Sequence, residues 1–203
     1  LIDFHDHFYD QSHCRILITG PHPEQYLPLV ERYFGAGWPL NPEKALLPPK
    51  TLPPIETSAI KKVILPHPEA VQTALRMGKP LFNRLHPDFM GLSIVNTILG
   101  GYFGSRLMSN IREEKGYTYG ISSYLLSLKE SGYFVIGSTV GADVWEETAT
   151  ECQKEIYRLC NDRVSADELE LVKNYLIGQV QRSVDGPFQM AEQLRVLWVH
   201  QYD

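Results

Sequence analysis

Apolar and polar positions along this chain repeat with two different periods. Tyr26, Leu27, Val30 and Phe34 recur at helical spacing over residues 23–34, and Gly35 stops the run. Phe89, Leu92, Val95, Ile98 and Leu99 mark one face of a helix over 87–99, ended by Gly100-Gly101. A shorter helix is predicted over 105–114. Val144, Thr148, Cys152, Ile156 and Leu159 stripe a helix over 143–159. Ser165 and Glu168 have the spacing of a capping box, opening a helix that carries Leu169, Val172, Leu176, Val180 and Val184. Asp185-Gly186-Pro187 breaks the pattern before a last helix. Strand-like runs rich in β-branched and aromatic residues fall at 14–19, 60–65, 71–77, 117–126 and 133–140. The last two flank the polar turn Lys129-Glu130-Ser131-Gly132, as in a hairpin. The order β-α-β-β-α-α-β-β-α-α-α predicts an α+β fold, a mostly antiparallel sheet with helices packed on one face.

Six prolines between 39 and 54 interrupt this pattern. Proline lacks the amide donor a helix or central strand needs, so the stretch reads as an extended surface connection inside one domain spanning 1–203. A chain of 203 residues, 43% apolar and 21% charged, is long enough to bury a core without staples. Its net charge of −5, with no Lys/Arg cluster, argues against a nucleic-acid surface. No apolar run approaches the roughly 20 residues that span a bilayer. Cys14, Cys152 and Cys160 cannot all pair and read as reduced, small core residues. The chain opens on Leu1 rather than Met, which suggests a piece of a longer protein, so a missing leader says nothing about compartment.

The informative segment is LGGYFGSRLMSNIREEKGYTYGISSY, residues 99–124. It combines Gly100-Gly101, then Ser105-Arg106-Leu107, then Arg112, Glu113, Gly116 and Tyr119. This combination resembles the second-half domain of the pitrilysin/insulinase zinc peptidases, which include the mitochondrial processing peptidases and their bacterial relatives. The order of elements is similar over nearly the whole chain. The resemblance implies the processing-peptidase/LuxS-like metallohydrolase fold, in paired domains of about this length. It implies that the first half carries zinc on an inverted His-x-x-Glu-His motif and that the second half has lost the metal. The wording IREEKGYTYG resembles bacterial members, implying a bacterial periplasmic or cytoplasmic setting; the residues themselves fix no compartment.

The seven histidines, at 5, 7, 13, 22, 67, 86 and 200, form neither His-x-x-Glu-His nor its reverse. No metal is therefore expected in this chain; zinc would belong to the partner half. By resemblance, Arg112 and Tyr119 are lent to that zinc site, Tyr119 donating to the scissile carbonyl oxygen and Arg112 orienting substrate backbone. Gly100, Gly101, Tyr102 and Phe103 would form a short glycine-rich lip that contacts a peptide substrate. Read without the resemblance, Arg112 is as well a helix arginine paired with Glu113 or Glu114, and Tyr119 a cross-strand aromatic. The Gly turn is as well a plain helix end, and Ser105 an N-cap. The implied partner is a homologous zinc-bearing domain, in the same chain or in a separate subunit. The rival reading is a non-catalytic structural or partner-binding subunit of the same fold.

Overall fold

The computed structural model describes residues 1–2, 4–5, 9, 11, 14–35, 37–38, 58–59 and 61–200. The proline-rich connection predicted at 39–54 lies outside them, as does Ile60. The chain divides into two compact units, Leu1–Pro53 with Gln179–Asp203, and Pro54–Gly178. The first contains α1 (Leu27–Phe34), reached through a 3-10 turn at Pro23–Tyr26, and α5 (Pro187–His200). Among its described residues only His200 is buried.

The second unit is built on three antiparallel strands, β1 (Gln72–Leu81), β2 (Thr118–Ser127) and β3 (Gly132–Gly141), in the order β1-β3-β2. Strand alternation sends Ile136, Ser138 and Val140 of β3 to the buried face, with Leu75 of β1 and Ile121 and Ser123 of β2. β2 and β3 form the predicted hairpin, its loop closed by a bond from the Leu128 amide to the Ser131 carbonyl at 2.8 Å. Gly132 belongs to β3 rather than to the turn. A side chain there would meet the Phe82 carbonyl oxygen at 2.4 Å.

Helices cover the buried face. α2 (Phe89–Asn96) continues into a π-helical segment, Thr97–Gly101, and a second π segment occupies Met108–Glu114. α3 (Trp145–Asn161) follows β3, with Glu146 and Glu147 in its first turn and Arg158 in its last, as its dipole favours. α4 runs from Ala166 to Ser183. The core joins Leu99, Leu107, Met108, Ile111, Ile121, Ile136 and Cys152.

Two predicted strands are absent. Residues 14–19 and 61–65 are irregular and unpaired, because β-propensity makes a strand only where a ladder partner is available. Val95 is exposed; the π segment, not the preceding turn, carries Ile98 and Leu99 into the core. Val180 and Val184 are likewise exposed. Cys160 is exposed too, and only Cys152 is the buried thiol the sequence suggests. Half of the capping box forms: the Glu168 amide donates to Ser165 Oγ at 3.2 Å, while the Glu168 carboxylate is engaged by Arg106. Ser105 does not cap; its hydroxyl is buried without a partner among the described residues.

Two outcomes follow from this core. Ile111 is fully buried, so Ile111→Ala leaves a cavity and costs about 2–5 kcal/mol in a urea titration. Burial pushes the Cys152 thiol up to about 12, so at pH 8 a disulfide reagent labels Cys160 promptly and reaches Cys152 only on unfolding. Rapid labelling of both in the native state would contradict this packing.

Candidate functional site

The Gly turn is anchored before it is exposed. Gly100 is buried, and a side chain there would lie 2.7 Å from both the amide nitrogen and the hydroxyl of Ser123 on β2. Gly101 is exposed, and next to it Tyr102 is half-buried, its ring 5.1 Å from that of Tyr175. Burial first, and the charge of Glu168 second, hold the Tyr102 phenol above its ordinary pKa, so it remains a proton donor. Phe103 is exposed, and the Arg112 guanidinium carbon lies over its ring, 4.6 Å from the centroid. The fold thus joins two of the residues singled out in the sequence. Arg112 also approaches Glu113, at 4.0 Å.

The helix after the lip is tied down by polar contacts the sequence does not announce. Arg106 Nε and Nη2 donate to the two carboxylate oxygens of Glu168 at 2.8 and 2.7 Å. Asn110 Nδ2 and Arg158 Nη1 each donate to Oε1 of the buried Glu155 at 2.7 Å. Past Glu114 the backbone turns through Gly116, whose φ of +67° lies in the left-handed region. A bond from the Tyr117 amide to the Ile111 carbonyl, 3.0 Å, closes the return to β2.

Tyr119 follows at once, on a β-bulge. Thr118 pairs with Val140 and Ile121 with Ser138, so Tyr119 and Gly120 together oppose Thr139. Three hydroxyl bonds fix this distortion. The Thr118 hydroxyl donates to the Thr139 carbonyl at 2.7 Å and accepts from the Gly120 amide at 3.1 Å. The Ser138 hydroxyl donates to the Gly120 carbonyl at 2.9 Å. Tyr119 is 94% exposed. It borders a concavity of about 600 Å³ on the sheet face away from the core, lined also by Gln72, Arg76, Ser122, Tyr124 and Gly137. Arg112 is not among the lining residues. Arg76 and Tyr124 are not singled out by the sequence; only their outward places in the strand alternation could have marked them.

Among the described residues no group of three or more His, Cys, Asp or Glu is placed to hold a metal ion, so the donor set here does not suit zinc. His5 stacks on Tyr9 at 5.0 Å, and His7 and His13 lie outside the described residues. No described helix is long and apolar enough to cross a membrane.

Comparison with known proteins agrees with this architecture. Residues 1–176 match the family model described as "Peptidase M16 inactive domain", and the chain belongs to that family. It is 26% identical over 182 residues to the Bacillus subtilis protein named "Uncharacterized zinc protease YmxG", covering 90% of this chain and 42% of that one. A solved peptidase M16 inactive domain from Pseudomonas fluorescens is similar at TM-score 0.60 and 30% identity, covering 65% of this chain and 32% of that chain. A Helicobacter pylori protease superposes at TM-score 0.66 over 88% of this chain and 43% of its own; at 15% identity it speaks to the fold alone. The pitrilysin-type resemblance and the α+β fold it implied therefore hold. The chain spans less than half the length of these relatives.

The Arg106–Glu168 pair yields a pH test. The hydrogen bond from Arg106 lowers the Glu168 pKa, outweighing desolvation. The pair's stabilisation is therefore complete above the ordinary carboxylate pKa and fades as pH falls through the lowered value. Glu168→Gln should cost about 1–2 kcal/mol at pH 7, and its deficit against wild type should close in acid. Denaturant unfolding at a series of pH values measures both; a deficit independent of pH would exclude the ion pair as its source.

Proposed function

We propose that this chain is the non-metal half of a zinc metallopeptidase, a single C-terminal-type domain that completes a peptide-cleaving site held by a homologous zinc-bearing half. The proline-rich stretch 39–54 is then a connection inside that domain. The observation that carries this reading is Tyr119: an exposed phenol with no bonding partner among the described residues, set on a bulge that hydroxyl bonds hold rigid. A donor carried on that backbone suits an oxygen that gains negative charge as a peptide carbonyl is attacked.

Arg112 supplies a cation beside the lip. Its guanidinium is steadied by the ring of Phe103, leaving donors for a substrate carbonyl or carboxylate. Gly100, Gly101, Tyr102 and Phe103 form the lip itself, Gly100 seating it on β2 and Phe103 presenting an apolar surface to the peptide. The relative from Bacillus subtilis is named a zinc protease, consistent with the metal and the water it activates residing in the other half.

The rival reading, a structural or partner-binding subunit, draws on one observation. Arg112 packs on Phe103 and is not among the residues lining the concavity below Tyr119, as a purely architectural arginine would be.

The deciding measurement is peptide cleavage by the intact protein with its zinc half. Tyr119→Phe removes only the hydroxyl and should lower kcat by about 10²–10³, or 2.7–4 kcal/mol. Activity within twofold of wild type would remove Tyr119 from the mechanism. Arg112→Lys should raise KM by about tenfold, because a point charge cannot replace the planar fork.

A further inference from the structure

The concavity beside Tyr119 contains a cation with no ion-pair partner among the described residues. Arg76 on β1 is exposed and is the one charged side chain among the described residues lining this hollow. Two backbone carbonyls order its guanidinium. Nη1 donates to the Leu75 carbonyl at 2.7 Å and to the Ser138 carbonyl at 3.1 Å. The cross-strand partner of Arg76 is Gly137, and the guanidinium lies close along that bare backbone. Arg76 Nε is 3.5 Å, and Cζ 3.6 Å, from where a Gly137 side chain would begin. A Cβ at 137 would come only into ordinary van der Waals contact with it.

Both recorded bonds use Nη1. The Nε–Nη2 edge, the pair of parallel donors that matches a carboxylate, has no partner among the described residues, and Arg76 joins no ion pair there. The rest of the lining named above is neutral and hydrogen-bonding: Gln72, Ser122, and the phenols of Tyr119 and Tyr124. A guanidinium already ordered by two carbonyls gives up little side-chain freedom when a ligand arrives.

The geometry points to Arg76 as a specificity residue that receives a carboxylate of the bound peptide, either an acidic side chain or the free C-terminus. Charge complementarity selects this occupant over a neutral or basic peptide. The inference deepens the function proposed above and rests on this face of the sheet meeting peptide.

Isothermal titration calorimetry on the intact protein tests it with three peptides of one sequence. The first carries Glu and an amidated C-terminus, the second Gln and a free C-terminus, the third Gln and an amidated C-terminus. At low salt, at least one of the first two should bind about tenfold more tightly than the third, and the preference should shrink as salt rises. Which of the two gains identifies the source of the carboxylate. In Arg76→Gln the three affinities should converge, while Arg76→Lys should keep part of the preference. Equal binding of all three by wild type, no binding of any, or a preference that survives Arg76→Gln would each overturn the assignment. Cleavage by Tyr119→Phe is read separately. Full activity in that variant would remove the proposed function and leave the Arg76 preference to stand or fall on the calorimetry.

Discussion

The approach of Gly100 to β2 is the constraint on which the whole segment from the glycine turn to the bulge on β2 depends. The backbone there is so near the Ser123 amide that no side chain fits, and the conformation at Gly100 (φ −159°, ψ 16°) ends the helical run. The chain leaves the core at that point and exposes Phe103. It then re-enters through Ser105 and Leu107, both fully buried. Leu107 and Ile111 clamp the next helical segment to Ile121 and Ile136 of the sheet, and that clamp fixes where Arg112 emerges. Gly116 reverses the chain, so one continuous segment supplies lip, cation and phenol.

Much of this was legible in the sequence, for physical reasons. The hairpin followed from alternation on either side of a polar turn, and the long helix α3 from its buried stripe through Thr148 and Cys152. The Gly-rich turn with Arg112, Gly116 and Tyr119 marked the family. What failed did so for lack of long-range information. Residues 14–19 and 61–65 have strand composition but no strand beside them. Widening of the helix at 97–101 and 108–114 is a tertiary accommodation with no signature in apolar spacing. The capping-box glutamate was captured by an arginine 62 residues away, a competition that local spacing cannot reveal.

The site was legible as residue types and not as geometry. Tyr119 could be named, but its bulge depends on hydroxyls of Thr118 and Ser138 that read in sequence as ordinary strand residues. Arg76 reads as an ordinary strand arginine until the register sets it against Gly137. The buried Glu155 carries the same lesson. It sits on the apolar stripe of α3, where an acid would ordinarily be costly, and is stabilised there by Asn110 and Arg158.

The bulge on β2 also bears on how this segment can change over generations. Since two residues there oppose a single one, positions 119 and 120 fall outside the regular in-and-out alternation of the strand. Point changes at 119 can therefore accumulate without disturbing the interior. Losing one residue from that stretch would regularise the ladder and put position 119 under the same packing constraint as its neighbours. This scaffold accepts exchange of the aromatic easily, and shortening of the strand much less so.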